Sequence, residues 1–319
     1  MKTDAPAPVT TPPMASYQMH RYHQNNDKRR PMLLWAGSGV GLVLVGALAL
    51  SYWGNQHWDK ATANQLMSMQ QAVPLSSPAY PAHFDATELA NVPPVVRQYL
   101  TQVLKDNQPV VRSVRLEQVG TFNRDPAHTM WDTFSATQWV TTERPGFVWD
   151  ATMPMYLGIA IRVRDAYVAG VGIFQPAVMG IFKLAGSEGT GNIAQAQLMR
   201  YLAESVWYPT ALLPSQGVQW TAIDAHAAQA VLTDGPISVT LRFDFNAAGY
   251  VERISSTERA AMVGNALVPM AWETRLSNYQ QRDGMQVPVE AEAAWLPTAG
   301  TRQPYWRGSV TTLAYDMPR

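Results

Sequence analysis

Two pairs of charged side chains have the spacing for acid–base work. Glu290 and Glu292 alternate along one strand-like segment, so they share a face ~7 Å apart. That face lies opposite Val289, Ala291, Ala293 and Trp295. It reads first as a solvated strand face and second as a general acid and base. Arg200 and Glu204 stand four residues apart beside an apolar helical stripe. A structural ion pair is the leading reading, with a catalytic Glu204 behind it. His83, His128 and His226 are far apart in sequence and form no HxH or HExxH pattern, so neither a metal nor a cofactor is expected. The chain has no cysteine, which excludes disulfides, thiolate metal sites and a cysteine nucleophile. There is no GxSxG, and no serine stands three residues before Lys105 or Lys183. Residues 186–191, GSEGTG, lack the Lys-Ser/Thr ending of a phosphate loop and read as a turn before the next helix. No catalytic residue and no reaction follow from this inventory.

The apolar side chains say more. Val178, Met179, Ile181, Phe182 and Leu184 form a nearly unbroken apolar run before the glycine-rich turn. The sequence predicts a helical insertion over residues 170–191, with this run as a lid, followed by a helix over about 192–207. In the second helix Leu198, Tyr201, Leu202 and Trp207 would form the other wall of a ligand site. The competing reading makes both segments plain core, because burial against ligand and burial against protein look alike in sequence. Eight tryptophans between Trp131 and Trp306 are open to the same two readings.

The elements around these residues follow from periodicity. Pro93 and Pro94 open a helix whose apolar face is Val95, Val96, Tyr99, Leu100, Val103 and Leu104. From residue 113 the period becomes two, as in Ile237, Val239, Leu241, Phe243 and Phe245. Asp283-Gly284 is a hairpin signal. About eleven strands at hairpin spacing predict a mainly β (α+β) fold: a curved antiparallel sheet, or incomplete barrel, with helices on its concave side.

With 24 basic and 24 acidic residues in 319, bulk positive charge is not available for nucleic-acid binding. Residues 32–53 pass without a charge, long enough for one transmembrane helix. Lys28, Arg29 and Arg30 precede this run, and residues 1–30 hold five basic and two acidic side chains. The positive-inside rule then predicts a single-pass inner (cytoplasmic) membrane protein with its N-terminus in the cytoplasm. The expected organisation is a disordered cytoplasmic tail (1–30), a transmembrane helix (31–53), a stalk and linker (54–84) and an extracytoplasmic, periplasmic β-rich domain (85–319). A signal peptide cleaved after Ala49 is the alternative. Gly37 and Gly41 form a GxxxG that could pair two such helices.

Residues 200–214, RYLAESVWYPTALLP, resemble the signature of an uncharacterised bacterial membrane-anchored family, of the form RYLAE-x-x-W-x-P-x-x-LLP. Further matching pieces include Gln138 in the 131–138 segment, Arg164 with Asp165 and Tyr167, and Tyr305 with Trp306. The resemblance covers about residues 90–315 and implies no reaction. The element order also resembles the lipoprotein-carrier (Lol-type) fold, which implies an incomplete barrel holding acyl chains under covering helices. Such carriers are soluble or anchored through cysteine, whereas this chain has an apolar run and no cysteine, so the resemblance implies a tethered binder. Three readings stay open: a tethered binding protein for a membrane lipid or apolar small molecule, an envelope interaction or assembly protein, and an envelope enzyme. The first predicts an enclosed apolar cavity of several hundred Å³ under the helices.

Overall fold

A computed structural model describes residues 29–73, 81–125, 130–155, 159–264, 266–298 and 300–316, with side chains from residue 45 onward. The chain divides into two compact units, Met1–Ala49 and Leu50–Arg319. The expected tail over residues 1–28 lies outside the described residues. A long helix, α1 (Arg29–Gln71), includes the apolar run. The side chains of residues 32–44, with Gly37 and Gly41, lie outside the described set. Among the described residues no helix is long and apolar enough to cross a membrane.

The second unit is built on one antiparallel sheet. Helix α2 (Pro94–Val103) comes first, with Pro94 in its first turn, where a missing N–H costs nothing. Strands β1 (Ser113–Asn123), β2 (Trp131–Thr141), β3 (Gly146–Pro154), β4 (Ala160–Val168) and β5 (Val171–Val178) then pair in succession. The short β6 (Phe182–Lys183) and β7 (Ser187–Gly189) both pair with β5 at this edge. Helix α3 (Asn192–Glu204) and a run of 3-10 turns carry the chain to the opposite edge. From there β8 (Gln219–Asp224), β9 (Ala227–Asp234), β10 (Ile237–Phe245), β11 (Val251–Val263), β12 (Ala266–Arg282), β13 (Met285–Leu296) and β14 (Gln303–Asp316) return to the centre, where β14 pairs with β1.

The sheet is open but strongly curled. Strands β4 and β9 stand nine strand spacings apart in its order, ~43 Å if it were flat. Yet the Tyr167 hydroxyl on β4 donates to Asp234 on β9 at 2.8 Å. Arg144, in the turn between β2 and β3, also reaches Asp234, at 3.1 Å. The enclosed face holds the main core. Leu198, Tyr201 and Leu202 of α3 and Tyr99 and Leu100 of α2 pack there with Phe147, Trp149, Tyr167, Leu241 and Phe243 of the sheet.

One expectation needs correction. Residues 171–189 are strands and tight turns rather than a helical insertion. Met179 and Gly180 both have positive φ (56° and 69°), and the Ile181 N–H bonds the Val178 carbonyl at 3.1 Å, which makes a tight hairpin. Two successive left-handed residues cannot continue a helix, and they match the twist of paired strands. A short apolar run carries no periodicity to distinguish these cases.

Residues 54–72 are expected from the sequence to extend the first helix, and α1 does continue to Gln71; this part of it packs against the sheet face opposite α3. Met69 and Leu66 meet Val148, Ala166, Val168 and Ile173, whose strand neighbours point the other way into the main core. A polar clamp holds the helix upstream. Asp150 on β3 accepts from the Trp58 indole N–H at 2.9 Å, Thr62 Oγ1 at 2.6 Å and Arg162 at 3.1 Å. The Arg164 guanidinium stacks on the Trp58 ring at 4.1 Å and donates to the Trp58 carbonyl at 2.8 Å. Gly54 allows close approach at the other end of this contact, since a Cβ there would lie 2.2 Å from the Met179 carbonyl oxygen.

Asp150→Ala removes the acceptor of the Trp58 N–H and of Thr62 Oγ1, together with the buried carboxylate partner of Arg162. The expected loss is about 3–5 kcal/mol, the range for removing one partner of a buried ion pair, read by urea denaturation. Amide exchange should show residues 54–71 losing protection before the strands do. Loss of both together would mean that the helix and sheet unfold as one unit.

Candidate functional site

Between α3 and the enclosed face lies a cavity of about 90 Å³. Trp149, Trp207, Trp272 and Trp306 form much of its wall, with Phe122 and Phe174. Four charged side chains also line it: Asp165, Arg200, Glu204 and Arg259. Its volume falls well short of the several hundred Å³ expected. The difference is filled by the aromatic side chains themselves, such as Phe134, which lies edge-on to Trp149 with ring centroids 5.7 Å apart.

Most of the charge on this wall is already paired. Arg200 Nε donates to Glu204 Oε1 at 2.7 Å, one helical turn on, and its Nη1 donates to Asp165 on β4 at 2.5 Å. Its Nη2 reaches Gln138 Oε1 on β2 at 3.2 Å. Gln138 returns a hydrogen bond to Glu204 at 2.6 Å, and Gln197 donates to the second Asp165 oxygen. The guanidinium also lies 5.0 Å from the ring centroids of both Phe147 and Trp149. Burial pulls Arg200 toward losing its proton, but Glu204 and Asp165 more than offset this and hold it charged. Desolvation pushes the Asp165 carboxyl above its usual range, against the pull of Arg200 and Arg259. The group acts as a strut that fixes α3 to β2 and β4. Three separate pieces quoted for the family resemblance meet in it: Gln138, Asp165 and the Arg200–Glu204 pair.

Arg259 is different. It is buried, and among the described residues no carboxylate stands within ion-pair distance of it. Its Nε donates weakly to the Ala196 carbonyl at 3.3 Å and its Nη1 to the Tyr305 hydroxyl at 3.4 Å. The cation lies over Trp272 at 5.0 Å and Trp295 at 5.5 Å. Trp272 in turn donates its N–H to Tyr305 at 2.9 Å, and Trp295 stacks on Tyr305. The buried Trp207 indole N–H, on another wall of the cavity, has no hydrogen-bond partner among the described residues.

Periodicity missed Arg259 for an identifiable reason. In β11, Ser256 pairs with Trp272 and Arg259 with Met270, so one extra residue sits on the β11 side. This bulge flips the alternation and turns Arg259 inward. Simple alternation from the buried Ile254 would place residue 259 outside.

The other sequence candidates lie elsewhere. Val178 packs at the margin of the main core, and Met179 and Ile181 lie beside Gly54 of α1. Phe182 and Leu184 are exposed. None of the five lines the cavity, so they do not form its lid. Leu198, Tyr201 and Leu202 are buried core, and Trp207 is the member of that set on the cavity wall. Glu290 and Glu292 do not work as a pair. Glu290 accepts from Asn278 at 3.0 Å, and Glu292 accepts from Arg307 at 2.5 Å and from Arg302. Desolvation opposes ionisation of Glu292, but these two arginine hydrogen bonds hold its pKa below the usual range. His128 lies outside the described residues. Among the described residues no three His, Asp or Glu side chains are grouped to hold a metal ion.

The chain belongs to DUF6920, a family of unknown function whose sequence profile matches residues 90–315. A comparison with curated protein sequences found no match. Among solved structures it is similar to a LolA superfamily protein from Nitrosomonas europaea, at 11% identity and a TM-score of 0.36, covering 70% of this chain and 93% of that one. It is also similar to a putative outer membrane lipoprotein-sorting protein domain from Vibrio parahaemolyticus, at 9% identity and a TM-score of 0.36, covering 69% and 90%. A β-barrel-like protein of a domain of unknown function from Brucella abortus matches at 10% identity and a TM-score of 0.20, covering 65% and 98%.

The raised Asp165 pKa has a pH consequence. A carboxyl with a higher pKa in the folded state takes up a proton on folding. Its stabilising contribution is complete below the unfolded value near 3.8 and is lost as pH rises through the folded value. Compared with an Asp165→Asn variant, the wild type should therefore gain stability as the pH falls from neutral toward 4. A difference between the two that stays constant with pH would show that Arg200 keeps Asp165 at its ordinary value.

Proposed function

We propose that this chain is a membrane-tethered, extracytoplasmic binding protein for a lipid or another apolar molecule, and that the acidic end of that molecule meets Arg259. The observation that carries the reading is the buried guanidinium on the wall of an aromatic cavity, without a carboxylate in ion-pair distance. Asp165 attracts Arg259 from across the cavity without reaching ion-pair distance. A buried cation without a contact partner is costly, and a ligand acid would supply that contact. The partnerless Trp207 N–H offers a further donor. Tryptophan walls favour an apolar body behind the acid head. A cavity of about 90 Å³ holds only a small part of such a molecule. The remainder then leaves through the cavity mouth, or α3 moves away from the strands to admit it.

Tethering is supported by the uncharged run over residues 32–53, by the basic residues before it, and by a helix that extends from Arg29 to Gln71. The charge asymmetry favours a cytoplasmic N-terminus and a periplasmic β-rich domain in a bacterial inner membrane.

The test uses the full chain in amphipol with two photoactivatable probes of equal length, a fatty acid and the matching fatty alcohol. The acid is expected to label peptides from α3 and from β11 to β14, and the alcohol to label them more weakly. Arg259→Met should reduce acid labelling to the alcohol level. Ala291→Phe, which fills the cavity from β13, should abolish both while the thermal transition is retained. Absence of labelling at these peptides in the wild type would remove the binding reading.

A further inference from the structure

Among the described residues between 81 and 316, eight large apolar side chains are exposed, and four of them gather at one end of the sheet: Met155, Ile159, Phe182 and Leu184. Phe182 is 55% exposed and Leu184 46%. The backbone brings them together. The Met155 N–H bonds the Ile159 carbonyl at 2.7 Å where β3 turns into β4. The Met179 N–H bonds the Ala160 carbonyl at 2.8 Å, and Phe182 pairs with Val178, so the β5–β6 hairpin lies alongside.

Helix α1 also meets the sheet at this end. Gly54 touches the 179–181 turn, and Gly54 directly follows the apolar run that ends at Trp53. Tyr52 and Trp53 are themselves exposed, and such side chains favour a membrane–water boundary. Lys183 stands exposed between Phe182 and Leu184, on the opposite face of the short strand. An ammonium flanked by two apolar side chains matches an anionic headgroup region above acyl chains.

We infer that this rim, formed by Met155, Ile159 and the 179–184 turn, dips into the lipid interface and seats the domain directly on the membrane. The occupant of the exposed apolar patch is the bilayer into which residues 32–53 lead. The inference rests on the tethering part of the proposed function, and it gives the apolar 178–184 run a role outside the cavity.

The absence of native cysteine makes the test clean. Single variants of the full chain, Met155→Cys, Ile159→Cys, Phe182→Cys and Leu184→Cys, are spin-labelled and reconstituted into vesicles of phosphatidylethanolamine and phosphatidylglycerol. Val45→Cys, within the apolar run, and Ile223→Cys, exposed on β8, serve as references. The readout is the ratio of collision with oxygen to collision with a water-soluble nickel complex, which rises with depth in lipid. The four rim positions should fall between the two references, with Phe182→Cys and Leu184→Cys nearer to Val45→Cys. Rim positions as aqueous as residue 223, with residue 45 in lipid, would overturn the inference and leave the anchor standing. Residue 45 in water would remove the anchor and the inference with it. Rim labels shielded from both reagents would mean that protein covers the patch, a second copy or an envelope partner, and would also overturn it.

Discussion

Among the described residues, fourteen antiparallel strands curl without closing and leave an apolar trough, and something else in the chain must fill it. The connection between the two sheet edges does so. Residues after β7 have to cross to β8 at the far edge, and α3 with its following turns makes that crossing inside the curl. The buried Arg200 then becomes the fixing point. It reaches Glu204 on its own helix, Asp165 on β4 and Gln138 on β2, so the helix position is specified by direction as well as by apolar contact. Apolar packing alone tolerates sliding, whereas a satisfied buried network admits one geometry.

The same trough holds two arginines in unlike conditions, and the contrast gives the cavity its chemical character. Arg200 is saturated by carboxylates and amides, which makes it structural. Arg259 rests on Trp272, Trp295 and the Tyr305 hydroxyl, partners that lower the cost of burying the cation without neutralising it. The strut therefore holds the wall in place, while among the described residues no carboxylate comes within ion-pair distance of the second cation.

The outer face has a different task. Asp150, Arg162 and Arg164 face away from the main core and grip α1 through Trp58 and Thr62. Residues 54–71 are stacked on the sheet and fastened by these hydrogen bonds and by the Asp59–Arg162 ion pair, which leaves that part of the helix little freedom to pivot. The apolar rim follows from this arrangement, because the hairpin that touches Gly54 also carries Phe182 and Leu184 at its edge.

Local chemistry was legible wherever a short window of sequence carries the signal. Strand alternation, the proline-started helix α2, the Asp283-Gly284 turn and the uncharged run over residues 32–53 each depend on neighbours within a few positions, and side-chain period and turn preference act over that range. Spacing also placed Arg200 and Glu204 one helical turn apart. The remaining features depended on partners distant in sequence. The 178–184 run has no period to separate a lid helix from an edge hairpin, and only its contact with Gly54 and pairing within β5 define it. Glu290 and Glu292 share a strand but are drawn to separate partners. The bulge in β11 turns Arg259 inward against its apparent alternation, and a bulge is set by the register between two strands, which no single strand encodes.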